Sequence, residues 1–182
     1  MRRIVGVIAV VAMTSGLTAV GMVAAAPAGA AGGITCSTGS GTTKVSPGLT
    51  NTPTTQNVVS KGTLSGCSGT FTSAKTLSHL KSAAATCATA QAGSGTISGT
   101  EIIKWSPKGM GNSMANISIT GTGPSTPAHI SGTITSGPFA GMSISSNVMT
   151  TPVVKGGVTP CTSQKTAIKK ATFALTSAFT VS

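Results

Sequence analysis

Thr172-Phe173-Ala174-Leu175-Thr176-Ser177-Ala178-Phe179-Thr180-Val181 is the clearest structural signal in the chain. Phe173, Leu175, Ser177, Phe179 and Val181 share one parity, and Thr172, Ala174, Thr176, Ala178 and Thr180 share the other. Successive side chains of a β-strand point to opposite faces, so a period of two predicts a strand with one apolar face. The pattern recurs upstream. Ala115, Ile117 and Ile119 alternate with Asn116, Ser118 and Thr120; Ile130 and Ile134 oppose Ser131, Thr133 and Thr135; Met142, Ile144 and Val148 share a parity with Ser146. Over 96–105, Ile97, Ile103 and Trp105 share a parity with Gly99 and Glu101 between them. Either Glu101 points inward near a strand end, or a bulge at Gly99 resets the register.

Further strands are expected over 34–38, 42–46, 56–65 and 69–73. Between Thr76 and Gln91, Leu77, Leu80, Ala84 and Ala88 hold helical spacing, while the flanking Thr and Ser and Cys87 suit a strand. We assign 76–82 and 85–91 to strands. Turns are expected at Ser46-Pro47-Gly48, Ser106-Pro107-Lys108-Gly109, Gly121-Thr122-Gly123-Pro124 and Gly137-Pro138. The stretch 149–168 reads as the longest connection. Many short strands, Thr-rich outer faces and frequent turns predict an all-β fold. We expect an antiparallel β-sandwich, Ig-like or jelly-roll-like, stapled by disulfides. A transmembrane barrel alternates too, but it needs aromatic girdles, and this chain has one Trp, four Phe and no Tyr.

Residues 1–30 read as a secretory signal peptide. Arg2 and Arg3 precede a long apolar stretch, and Ala28-Gly29-Ala30 fits a small-residue cleavage site, so cleavage is placed after Ala30. Cleavage after Ala26 would leave Pro27 first, and an uncleaved segment would be long enough to anchor the chain in a membrane. Residues 31–182 then form one domain, with no further apolar run of membrane length, destined for the extracellular space. Leu, Ile, Val and Phe number 27 of its 152 residues, a low fraction, but its modest charge density is unlike that of a disordered chain.

Cys36, Cys67, Cys87 and Cys161 are an even set in an exported chain, which implies two disulfides. Of three connectivities, pairing Cys36 with Cys87 and Cys67 with Cys161 closes long loops, and we favour it on chain-entropy grounds. The absence of a C-x-x-C pair argues against zinc.

Several local features form an ordered set: Thr35-Cys36, Ser46-Pro47-Gly48-Leu49-Thr50, Leu64-Ser65-Gly66-Cys67 and Ile103-Lys104-Trp105-Ser106, then Thr135-Ser136-Gly137-Pro138-Phe139-Ala140-Gly141 and Thr159-Pro160-Cys161. Together they resemble a group of small secreted actinobacterial β-sandwich (Ig-like) proteins of uncharacterised function. The resemblance spans nearly the whole mature chain. It implies a fold and export, and it brings no activity or functional residue.

Charge bounds the function. The chain has twelve Lys plus Arg against one acidic residue, Glu101, for a net charge of +11. With both arginines in the signal, the mature chain has ten Lys, no Arg and one Glu. With one carboxylate and no Asp, the chain cannot assemble a paired-carboxylate mechanism, a Ser-His-Asp triad or a carboxylate metal cage. Glu101 is chemically able to act as a lone general base, but it reads rather as a salt-bridge partner for a nearby Lys. His79 and His129 lie fifty positions apart without metal-ligand spacing, and Gly111-Asn112-Ser113-Met114 is not a nucleophile elbow. Asn116-Ile117-Ser118 fits the glycosylation pattern but falls within a strand. Trp105 shares parity with Ile103 and is read as core rather than a sugar platform, and Phe139 as a plug at one end of the fold. We expect no catalytic, metal or cofactor site. Lys165, Lys169 and Lys170, clustered before the last strand, are the candidate contacts for an anionic cell-envelope polymer, and Lys104 and Lys108 flank the Trp105 turn. They serve equally as solubilising charge and edge protection. Absent Arg and scarce aromatics argue against specific nucleic-acid readout. The expected function is that of a secreted, non-enzymatic structural or binding module. A cationic polyanion- or cell-wall-binding protein is the first alternative, and an enzyme with a cryptic site the second.

Overall fold

The alternating segments form strands that pair in chain order. The computed structural model describes residues 32–107, 109, 111–123, 125–153 and 167–182. Among these residues the strands are β1 (Ile34–Leu49), β2 (Thr54–Cys67), β3 (Ser73–Ala85), β4 (Ser94–Ser106), β5 (Asn112–Thr122), β6 (Ala128–Ser136), β7 (Ser143–Pro152), β8 (Ile168–Leu175) and β9 (Phe179–Val181), with a short helix α1 (Cys87–Gln91) after β3. Each strand from β1 to β8 pairs antiparallel with the next, and β8 pairs back onto β1.

The sheet therefore closes into an eight-strand barrel with one additional short strand, and the expected two-sheet sandwich is overturned. The reason lies in β1. Its sixteen residues hold β2 along one edge. Along the other edge Ser40–Lys44 and Leu49 take β8, while Ile34–Cys36 take β9. β9 also pairs with Ile144 and Ser145 of β7, so it continues the line of β8 after a break at 176–178. Period-two alternation is common to sandwiches and barrels. Closure is decided by which edges meet, and the period does not encode that.

Inside the barrel, small side chains make room for large ones. Phe173 stands opposite Gly41, and a Cβ on Gly41 or Gly62 would lie 2.6 or 2.8 Å from its ring, so the phenyl group lies over two bare glycines. One end is closed by aromatic packing. Phe71, Trp105 and Phe139 form a triangle with ring centroids 5.1, 5.7 and 5.3 Å apart. Trp105 Nε1 donates to Ser113 Oγ at 2.9 Å, and that hydroxyl donates to the Pro138 carbonyl. Both aromatic readings thus hold, with the plug in a barrel end. Phe139 adopts φ +67° between Gly137 and Gly141, which also have positive φ. A bulky residue rarely takes this backbone, and here the tight turn points its ring into the core.

Other expectations shift locally. Residues 34–46 form one continuous strand, because Ser46-Pro47-Gly48 is a bend inside β1 and not its end. Buried Gln56 holds that bend: its Oε1 accepts from Gly48 N–H at 3.0 Å and its Nε2 donates to the Gly48 carbonyl at 3.2 Å. Residues 69–72 link β2 to β3 instead of forming a strand. The strand expected over 85–91 is replaced by α1, whose N-cap Thr86 exchanges hydrogen bonds with Thr89 in a reciprocal capping box. The segment assigned to the signal peptide, 1–30, lies outside the described residues.

Cys36 and Cys67 are direct register partners on β1 and β2 and are joined in a disulfide, which overturns the favoured Cys36 with Cys87 pairing. Strand pairing brings these two together at the plugged end, so proximity in the fold outweighs loop length. Cys87 is also disulfide-bonded. Cys161 lies outside the described residues, and it is the only remaining cysteine in the sequence.

Two outcomes follow. Non-reducing peptide mapping recovers Cys36 linked to Cys67; a Cys36–Cys87 peptide would contradict the register of β1 and β2. Phe139→Ala destabilises the protein by about 3 kcal/mol in urea unfolding, as expected for truncating a buried aromatic. A loss below about 1 kcal/mol would mean that this ring does not hold the barrel end closed.

Candidate functional site

The barrel wall sorts the charged residues. Lys44, Lys61, Lys75, Lys81, Lys104, Lys169 and Lys170 are all exposed and lie on β1, β2, β3, β4 and β8. These five strands are contiguous in the barrel. From 109 to 154, the stretch that contains β5, β6 and β7, the sequence has no Lys, Arg, Asp or Glu. The outer positions of those strands are mainly Ser, Thr and Asn. Lys44 stands opposite Lys170, and Lys75 opposite Lys104. Like charges directly across a strand pair repel.

Of the lysines singled out in the sequence, Lys169 and Lys170 open β8 and Lys104 lies on β4, all exposed, whereas Lys108 and Lys165 lie outside the described residues. The basic surface extends well beyond this cluster. Lys44 and Lys61, far away in sequence, reach it through the pairing of β1 with β8 and β2.

Glu101 sits on the other side of the wall. The register of β4 with β5 is continuous from Ser94 to Lys104, so no bulge intervenes and the carboxyl points inward from the middle of the strand. Only 7% of the residue is exposed. Ser78 Oγ, directly across on β3, donates to its Oε1 at 3.1 Å. Burial raises the carboxyl from an ordinary 4.5 to about 7, and the hydroxyl's hydrogen bond opposes that rise. Among the described residues Glu101 is in no ion pair. The expected salt bridge fails because Lys75 and Lys104 stand at outward positions of the same two strands.

The polar row continues beyond this pair. Thr43, Ser60, Ser78 and Glu101 are successive register partners on β1, β2, β3 and β4. Thr43 and Ser60 share a 2.9 Å hydrogen bond between their hydroxyls. The inward parity of Glu101 was visible in the sequence beside Ile103 and Trp105. The alignment of Ser78, Ser60 and Thr43 with it was not, because only the register sets it. The row thus sets one buried carboxyl, raised by its burial, beside the Ser78 hydroxyl.

His79 and His129 are exposed on β3 and β6, and His129 Nδ1 lies 3.1 Å from Asn147 Oδ1. The wall separates both from Glu101. The described residues hold no cluster of three or more His, Cys, Asp or Glu. Over β4–β6, where the basic and neutral sides meet, lies a shallow groove of about 440 Å³, lined by Ser98, Thr100, Asn116, Ser118, Ser131 and Thr133. No helix among the described residues is long and apolar enough to cross a membrane. The chain matches no known protein family, curated protein or solved structure.

Glu101 makes stability depend on pH. Below about pH 4.5 it is protonated in both folded and unfolded chains. Between 4.5 and about 7 the unfolded chain releases the proton while the barrel retains it, so stability falls as pH rises. The penalty is complete above that range and amounts to roughly 3 kcal/mol. Glu101→Gln keeps an acceptor for Ser78 and removes the charge. Urea unfolding from pH 4 to 8 should show the wild type losing stability and the variant holding level across this window. Parallel curves would show that the carboxyl is not buried as described.

Proposed function

We propose that the chain is a secreted, non-enzymatic binding module that attaches through its lysine-bearing half to an anionic polymer of the extracellular surface. One observation carries this reading: the described lysines occupy contiguous strands, and the one acidic side chain points into the barrel. The outer lysines therefore have no side-chain carboxylate beside them, and their counter-charge comes from solution or from a partner. A one-signed surface field attracts such a partner over roughly a Debye length, ~8–10 Å at physiological salt. Solubility alone needs no segregation of charge; an even scatter would serve as well.

Lysine presents a compact ammonium ion, which suits phosphate or carboxylate repeats without a defined planar geometry. The aromatic residues support the same choice. Trp105, Phe71, Phe139 and Phe179 are buried, and Phe173 packs against the same core. None is placed outside to stack on bases or sugar rings. The Cys36–Cys67 disulfide is compatible with an oxidising, extracellular setting, in line with the signal-like 1–30 segment and the resemblance to small secreted proteins.

Binding to immobilised polyphosphate or isolated anionic cell-wall polymer should be measured at low and high salt. Retention collapses in high salt, and Lys44→Gln/Lys61→Gln/Lys170→Gln weakens it about tenfold at low salt, at roughly 0.5 kcal/mol per surface charge. Unchanged affinity in that variant, or binding indifferent to salt, removes the basic half from the function.

A further inference from the structure

The outer face of the barrel carries few large apolar side chains, and most of them gather where β2, β3 and β4 of the basic half adjoin β5. Leu77, Ile102 and Met114 are register partners across β3, β4 and β5, and Met114 is 46% exposed. Val59 joins them diagonally from β2, since its neighbour Lys61 is the partner of Leu77. Elsewhere the outward positions of the described strands are chiefly Ser, Thr, Asn and Lys; the other large apolar residues outside are Met149 on β7 and Val153, 46% exposed just past its end.

Lysines border this patch. Lys61 continues the same row beside Leu77, and the facing pair Lys75 and Lys104 occupies the next row toward the plugged end. Apolar side chains flanked by ammonium groups are an arrangement by which a protein face enters the headgroup boundary of an anionic bilayer: the chains enter the acyl margin and the ammonium groups meet phosphates.

We propose that the Val59–Leu77–Ile102–Met114 patch, with Lys61, Lys75 and Lys104, docks on the surface of an anionic phospholipid bilayer. This rests on the electrostatic attachment proposed above and names lipid phosphate as the anion at this face. A second copy of the chain is a poor occupant. An isologous pairing would set these lysines against their own copies, with no outward acidic side chain to offset them. Four apolar side chains also fall far short of the roughly 20–30 residues a side in a stable protein interface.

The test uses the mature, disulfide-bonded protein in co-sedimentation with phosphatidylcholine vesicles with and without phosphatidylglycerol, and in parallel with soluble polyphosphate. Wild type binds only the phosphatidylglycerol-containing vesicles. Ile102→Thr/Met114→Ser loses about tenfold in vesicle affinity while its affinity for polyphosphate is unchanged. Met114→Ser alone, at a nearly half-exposed position, gives a smaller loss in the same direction and covers the case in which the double variant fails to fold. Equal vesicle binding by wild type and variants overturns the inference. So does polyphosphate binding without vesicle binding, or a dimer in sedimentation velocity that the same substitutions abolish. Binding to neither vesicles nor polyphosphate overturns the electrostatic attachment itself.

Discussion

Hydrogen bonding along both edges of β1 is the constraint on which the rest of the structure depends. With β2 on one side and β8 and β9 on the other, the first strand turns a meander into a closed wall. Closure removes the free edges that an open sheet would expose to other chains. It also fixes a narrow interior. A tilted eight-strand barrel has just enough room for side chains to fill it, so glycines at 39, 41 and 62 are counterparts of Phe173 and Leu175. The sparse apolar content of the chain suffices because the enclosed volume is small and the three-ring plug at one end supplies much of its bulk.

A closed wall one residue thick makes strand parity an electrostatic device. On β3 and β4, Ser78 and Glu101 face inward while their neighbours Leu77 and Ile102 face outward. The one acidic side chain is thereby kept from every outer lysine, and none of the basic surface is neutralised by it. The unpaired carboxyl is tolerated because at neutral pH it can hold its proton and accept from Ser78. Had Glu101 stood one position along in either direction, it would have joined the lysine side, and the outer field would have been weaker.

What could be read in the sequence follows from what period two encodes. It assigns a face to each residue, so the inward series through Phe173, Leu175, Phe179 and Val181 was legible and survives even the break at 176–178. It placed Trp105 in the core and gave Glu101 the parity of Ile103. It does not encode register or which distant edges meet. The sandwich expectation failed there, as did the disulfide assignment, since Cys36 and Cys67 become neighbours only when β1 and β2 are aligned. The α1 segment was missed for another reason. Five residues are too few for periodicity to separate helix from strand, and the deciding contact is the Thr86–Thr89 capping box.

The same limit explains why the sequence showed separate groups of lysines on a diffuse basic surface and not a basic half. Charge counted along the chain is a sum, whereas charge on a barrel is a distribution set by strand order. Lys44 and Lys170 are 126 positions apart in sequence and opposite each other in the sheet. Ser, Thr and Asn at the outward positions of β5 to β7 then acquire meaning as the neutral remainder of a polarised surface. A dipolar barrel of this kind orients before it touches: the field turns the lysine-bearing strands toward an anion, and short-range contacts at that face decide what is held.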